Sequence, residues 1–183
     1  LEDINFATTQ YFKDIGDVII LLGKPSDTID GSEYLAVEYN RIAGHAPRVD
    51  FEYEKKIQDI CYEAIREGLI KSAHDCSEGG LAVALAESCF NPRGLLGVNI
   101  EMEITYRPDI ELFGESHSRI IVSLEEKEIP SLIKIIKKYD SPYQILGKVT
   151  GQKFQINELI SCDTNKLYDL WYNAIQRKMD SVT

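Results

Sequence analysis

The chain has 183 residues, 44% hydrophobic, with a formal net charge of −10. That length and apolar fraction suit one ordinary globular domain with a packed core, and no run approaches the ~18 apolar residues of a membrane span. The acidic balance argues against a nucleic-acid binder, which needs a basic surface to displace counterions, and no membrane association is expected. The four cysteines, Cys61, Cys76, Cys89 and Cys162, form no CxxC pair and no ligand spacing with histidine. A reduced, cytoplasmic protein is the expectation. No basic, then apolar, then small-residue start marks a signal peptide. There is no initiator methionine, so a piece of a longer protein is expected, with Leu1-Glu2 as a cloning remnant.

Asp17 to Leu22 reads as a buried strand, a charged entry followed by an apolar run. Gly23 to Ser32 reads as a loop. Ser32 caps a helix that places Leu35, Tyr39, Ile42 and Ala43 on one face, and Gly44 ends it. After a connection at Pro47 to Phe51 comes the clearest helix. Ile57, Ile60, Cys61, Ala64 and Ile65 repeat at helical spacing, and Gly68 sits where a C-terminal cap belongs. Leu69 to His74 leads through a short strand into Asp75-Cys76-Ser77-Glu78-Gly79-Gly80.

Leu81 to Phe90 is apolar on nearly all sides and reads as a helix buried on more than one face. Leu95 to Glu103 and Arg119 to Leu124 read as strands. Ile129, Leu132, Ile133 and Ile136 form a helix stripe with Pro130 in the first turn. Gln144 to Val149 and Lys153 to Ile156 read as a strand pair joined around Gly151. A last helix, capped by Thr164, places Leu167, Leu170, Trp171, Ala174 and Ile175 on one face. The order mixes βα units with strand pairs, which favours a mixed α/β (α+β) domain: a sheet with helices packed on it. One domain over residues 1–183 is expected.

Three segments can carry chemistry. In the first, Ser72 to Leu81, paired glycines allow close backbone approach, and free N–H groups at a helix start favour anions. Ser77, Gly79 and Gly80 are the candidate phosphate contacts. Asp75 is the candidate magnesium ligand, since that ion takes a few carboxylates plus phosphate oxygens. The competing reading is structural: glycines for tight helix packing, with Asp75 or Ser77 as a cap. The second segment, Leu112 to Arg119, gathers Glu115, Ser116, His117 and Arg119. Arg119 can pair with phosphate, and His117 can act as acid or base. Alternatively Glu115 and Arg119 pair, and the hydroxyls satisfy the backbone. The third, Asp30 to Tyr34, offers Gly31 and Ser32 at a helix start, where an ordinary cap serves equally well. No Ser–His–Asp or Cys–His constellation emerges.

Taken in order, these segments resemble a known family. His74 to Glu87, Phe113 to Arg119 and Asp30 to Tyr34 are similar to three blocks of the synthetase subunit of phosphoribosylformylglycinamidine synthase, and the likeness runs from about Gly16 to Gly151. The resemblance implies a chain of two similar halves. Each half has an N-terminal domain and a C-terminal domain related to aminoimidazole ribonucleotide synthetase. This sequence resembles the C-terminal domain of the second half, part of a larger synthetase chain. Such enzymes convert formylglycinamide ribonucleotide, ATP and ammonia into the amidine, ADP and phosphate in purine biosynthesis. The implied mechanism phosphorylates the formamide oxygen, and ammonia then displaces phosphate, with magnesium offsetting phosphate charge.

The resemblance implies as partners the N-terminal domains of the same chain, a glutaminase subunit and a small bridging subunit. It matches Asp75 to a magnesium ligand of the first-half domain, and Glu115, Ser116 and His117 to a Glu-Ser-Gln substrate contact. His117 departs from the glutamine. A second substrate glutamine, before the second helix, has no counterpart in Ala46 to Asp50. The family's catalytic histidines lie in the first-half N-terminal domain. No catalytic residue is therefore expected here. ATP and magnesium belong to the full enzyme, neither is assigned to this domain, and the role is that of a scaffold. Two alternatives stand beside it. One is the corresponding domain of a relative in hydrogenase maturation, selenophosphate synthesis or thiamine phosphate phosphorylation. The other is a stand-alone anion-binding module.

Overall fold

The computed structural model describes residues 3–181, so Leu1 and Glu2 lie outside the described residues. Seven strands form one mixed sheet in the order β2-β4-β1-β5-β3-β6-β7. They are β1 (Val18–Leu22), β2 (Ser72–Asp75), β3 (Gly97–Ile100), β4 (Ile120–Leu124), β5 (Tyr143–Thr150), β6 (Lys153–Ile156) and β7 (Ile160–Asp163). The helices are α1 (Glu33–Tyr39), α2 (Phe51–Arg66), α3 (Gly80–Cys89), α4 (Pro108–Phe113), α5 (Ile129–Lys138), α6 (Thr164–Tyr172) and α7 (Ala174–Asp180).

The unbroken apolar run of β1 has a simple cause: the strand is covered on both faces. Ile19 and Leu21 point into one core, with Leu81 and Leu85 of α3, Leu112 of α4 and Phe154 of β6. Val18, Ile20 and Leu22 point into the other, with Ile57, Ile60 and Ala64 of α2 and Leu132 and Ile136 of α5. Each fully buried leucine, isoleucine or phenylalanine among them contributes about 1.5–3 kcal/mol relative to exposure. The helical stripes of α2 and α5 thus face one side of the sheet, and α3 and α4 pack on the other. Asp50 caps α2 through the amides of Glu52 and Tyr53. Gly68, at φ +68°, closes the same helix, with the Leu69 amide bonded to Ala64 O.

Several expectations are corrected. α1 ends at Tyr39, where Asn40 takes the left-handed conformation (φ 50°). Ile42 and Ala43 therefore lie beyond the helix, and α1 buries no residue in either core. Gln144–Val149 and Lys153–Ile156 do not pair with each other, because β3 lies between them, antiparallel to β5 and parallel to β6. Three Cα–Cα links from Thr150 to Lys153 reach about 11 Å, enough to step across one intervening strand at about 9.5 Å. A short turn therefore does not prove a hairpin. The last helix is two helices divided at Asn173, and its cap is Asp163 rather than Thr164. The Asp163 carboxylate accepts from the amides of Asn165 and Lys166. α4 and β7 had no counterpart among the predicted elements.

Candidate functional site

The three segments singled out in the sequence converge at the starts of α1 and α3. β2 runs into the turn 76–79, and α3 begins immediately after it. Gly79 and Gly80 both have positive φ, 79° and 66°. A Cβ on Gly80 would stand 2.6 Å from Gly114 O and 2.9 Å from Leu112 O. The second glycine thus allows the start of α3 to press against the end of α4, and that contact brings residues 114–119 to the turn.

Glu115 is the hub. Its Oε1 accepts from the Gly79 amide at 2.8 Å and from the Glu33 amide at 2.9 Å. One carboxylate oxygen therefore serves the beginnings of two helices, where partial positive charge accumulates. Glu115 does not pair with Arg119. The Arg119 guanidinium is buried and clamps its own turn, with Nε donating to Ser116 O at 3.0 Å and Nη2 to Gly114 O at 2.6 Å. Its Nη1 is buried without a hydrogen-bond partner. Ser116 Oγ donates to Ser26 Oγ at 2.6 Å, and Ser118 Oγ, on a left-handed residue (φ 62°), donates to Glu54 Oε2 at 2.7 Å. His117 is exposed to solvent.

At the third segment, Gly31 (φ 67°) donates its amide to Ala43 O. The Ser32 hydroxyl donates to Ile29 O at 2.7 Å and accepts from the Leu35 amide, as an ordinary N-cap does. Tyr34 stacks on Phe113, centroids 4.7 Å apart, which ties α1 to α4.

Asp75 sits apart from this hub, with its side chain 70% exposed. Its carboxylate accepts from the Ser77 hydroxyl, and that bond, opposed by partial desolvation, holds the carboxyl below its usual range. The neighbouring His74 places Nε2 2.9 Å from Glu87 Oε2 and Nδ1 3.5 Å from Asp75 Oδ1. A cavity of about 230 Å³ lies beside these groups, lined by His74, Asp75, Ser77, Glu78, Ala84 and Glu87. Cys76 lies buried behind the turn, and burial pushes its thiol up to about 11, away from nucleophilic use. Sequence reasoning missed Ser26, Glu54 and Glu87 as members of this region. Only Glu87 carried a signal, as an acid inside an otherwise apolar helix.

The arrangement favours self-satisfaction over ligand capture. A phosphate brought to the Gly79 amide would meet the Glu115 carboxylate already there and be repelled by it. Among the described residues no group of three or more His, Cys, Asp or Glu can hold a metal ion. Asp75, Glu78 and Glu87 border one cavity without forming such a group, Glu87 being engaged by His74, and the residues present do not fit a magnesium–nucleotide site held by this domain by itself.

Residues 14–157 match the family model described as AIR synthase related protein, C-terminal domain. The chain is similar to phosphoribosylformylglycinamidine synthase subunit PurL of an Anaeromyxobacter species, 38% identical over 96% of this chain and 24% of that protein. The same-named protein of a Thermoanaerobacter species is 37% identical over 98% of this chain and 25% of its own length. The chain thus spans about a quarter of the length of the curated relatives it matches. Among solved structures, Thermotoga maritima PurL complexed with FGAR superposes with a TM-score of 0.74 at 18% identity, covering 90% of this chain and 30% of that one. A HypE–HypF complex gives 0.57 at 15% identity, covering 85% and 54%. At these identities the structural likeness shows the fold alone. With 144 of its 183 residues inside the matched model, the chain belongs to the family of AIR synthase related protein C-terminal domains.

Proposed function

We propose that this chain is the C-terminal domain of a PurL-type synthetase subunit of phosphoribosylformylglycinamidine synthase. The observation that carries this reading is the 38% identity to a PurL subunit over 96% of the chain. The whole enzyme would convert formylglycinamide ribonucleotide, ATP and glutamine-derived ammonia into the amidine, in the cytoplasm. Solved PurL relatives complexed with ATP and ADP support nucleotide use by the full subunit. Magnesium would accompany that nucleotide. The N-terminal domains of the same chain would be the immediate partners. A glutaminase subunit and a small bridging subunit would complete the complex, in keeping with a PurLQS relative.

Within that enzyme the domain acts as a scaffold. Gly31, Ser32, Ser77, Gly79, Gly80, Glu115, Ser116, His117 and Arg119 are remnants of an anion site, and Asp75 is a remnant of a metal position. Glu115 on the α3 amide supports this view, as does Arg119, which directs Nε and Nη2 to its own turn. The test uses two preparations, this chain alone and the full-length subunit, each assayed with formylglycinamide ribonucleotide, ATP, magnesium and ammonium. The full-length subunit should form the amidine and the chain alone should form none. Turnover by the chain alone would overturn the scaffold role. A full-length subunit that makes no amidine would overturn the assignment to this enzyme.

A further inference from the structure

Residues 40–50 join α1 to α2 without helix or strand. The segment is nevertheless held in a defined shape. Gly31 donates its amide to Ala43 O at 2.9 Å, and His45 donates its amide to Asp30 Oδ2 at 3.2 Å. Gly44, at φ +86°, lies directly against the Asp30 side chain, where a Cβ would meet Asp30 Cγ at 2.2 Å. A side chain at that position would push the arm off its anchor.

What this arm presents outward has no use inside the domain. Ile42 is 96% exposed, with Val37, Tyr39 and Phe51 exposed on either side of it. Exposed apolar side chains concentrated in one stretch of chain suit an interaction surface. The charge points the same way. Residues 40–50 contain Arg41 and Arg48, and their one acidic residue, Asp50, is committed to capping α2, within a chain of net charge −10. Neither guanidinium has an ion-pair or hydrogen-bond partner among the described residues. A pair of unpaired, weakly hydrated guanidiniums around an exposed isoleucine complements a surface with carboxylates around an apolar pocket.

We propose that the 40–50 arm is a docking element for an acidic, apolar-centred face on another domain of the same synthetase polypeptide. The inference rests on the PurL reading, under which three quarters of the chain lies outside these 183 residues. A second copy of this domain serves less well: an arm-to-arm contact about a twofold axis would set arginines against arginines.

The test is made in the full-length subunit. Ile42→Cys and, as an open reference, Lys137→Cys are treated with N-ethylmaleimide, and labelling of each site is followed by peptide mass spectrometry. Labelling at position 42 should be at least about tenfold slower than at 137. Adding Arg41→Glu and Arg48→Glu to the Ile42→Cys protein should remove most of that protection. Equal rates at the two sites would overturn the proposal, as would protection indifferent to the two charge reversals. Protection that vanishes on dilution would give the arm to a second copy. Protection that needs added glutaminase and bridging subunits would give it to that interface. Either result overturns the assignment. Amidine formation by the same preparations tests the PurL reading separately.

Discussion

Gly79 and Glu115 are joined by a 2.8 Å hydrogen bond across 36 residues of sequence, and it places a carboxylate at the start of α3. The same oxygen holds the Glu33 amide, so this bond also fixes α1. Hydrogen bonds to a charged acceptor contribute about 1.5–3 kcal/mol each when well shielded. Glu115 is partly exposed, so the lower part of that range applies. Glu115→Ala should lower stability by about 1–3 kcal/mol, read as a shift of the urea midpoint at unchanged slope. Glu115→Gln keeps a carbonyl acceptor and should recover part of the loss. An unchanged midpoint in the alanine variant would show that the carboxylate is incidental to the fold.

The second glycine of the pair should be the less replaceable partner in packing. Gly80→Ala combines a left-handed φ of 66° with a Cβ 2.6 Å from Gly114 O. The conformational cost alone is about 1–2 kcal/mol, and the backbone clash adds to it because Gly114 cannot swing aside as a long side chain would. The expected destabilisation is about 2–4 kcal/mol. Gly79→Ala meets the Val83 side chain, with Cγ2 2.4 Å and Cβ 2.8 Å away, a clash that Val83→Ala eases by removing the nearer atom. The double substitution Gly79→Ala with Val83→Ala should therefore fold better than Gly79→Ala alone. If adding Val83→Ala makes that variant worse, the steric account fails.

What was legible in the sequence follows from periodicity and burial. β1, α2, α3 and α5 carry dense or regularly spaced apolar residues, because each presents at least one face to a core. α4 carries six residues, under two turns, and β7 holds only Ile160 and Cys162 as apolar residues, too little for a period to stand out. The Leu35–Tyr39–Ile42 stripe misled because its apolar residues do not serve the core of this domain at all. At the site, the meeting of Asp30–Tyr34, Asp75–Gly80 and Glu115–Arg119 was readable only as a resemblance, since nothing local joins residue 33 to residue 115. The direction of the Glu115 carboxylate was not readable. A Glu–Arg pairing four residues apart is the nearer guess, and the free amides of two helix starts outcompete it.

The acid side of the stability curve offers a third check. The Ser77 hydroxyl beside Asp75 is the main cause of that carboxyl's depressed pKa. A carboxylate with a lower pKa folded than unfolded contributes stability above the unfolded value, about pH 3.9, and that contribution fades as pH falls through the folded value. Ser77→Ala should move the Asp75 titration upward, toward the unfolded value, and so shrink the acid-sensitive part of the stability that this residue supplies. Carbon-detected NMR of the side-chain carboxyls follows it directly. An Asp75 resonance that titrates identically in both proteins would assign the depression to His74 or the backbone instead.

The C-terminal helices carry the last expectation. α6 lays Leu167 and Tyr168 on the core, and between α6 and α3 runs an apolar groove of about 460 Å³ lined by residues including Val83, Phe113, Phe154 and Trp171. Beyond Asn173 the chain continues as α7 without burying a residue, and Tyr172, Ile175 and Met179 remain 66%, 78% and 63% exposed. Leu170 and Trp171 are about half exposed beside them. Surface of this kind, left open in an isolated domain, lowers its free energy by meeting its like. The chain alone should therefore self-associate with rising concentration, seen as an increasing sedimentation coefficient. Ile175→Asp with Met179→Asp should return it toward monomer without loss of fold, because neither side chain contributes to a core. A clean monomer of the unaltered chain at the highest workable concentration would mean that these helices tolerate water as they stand.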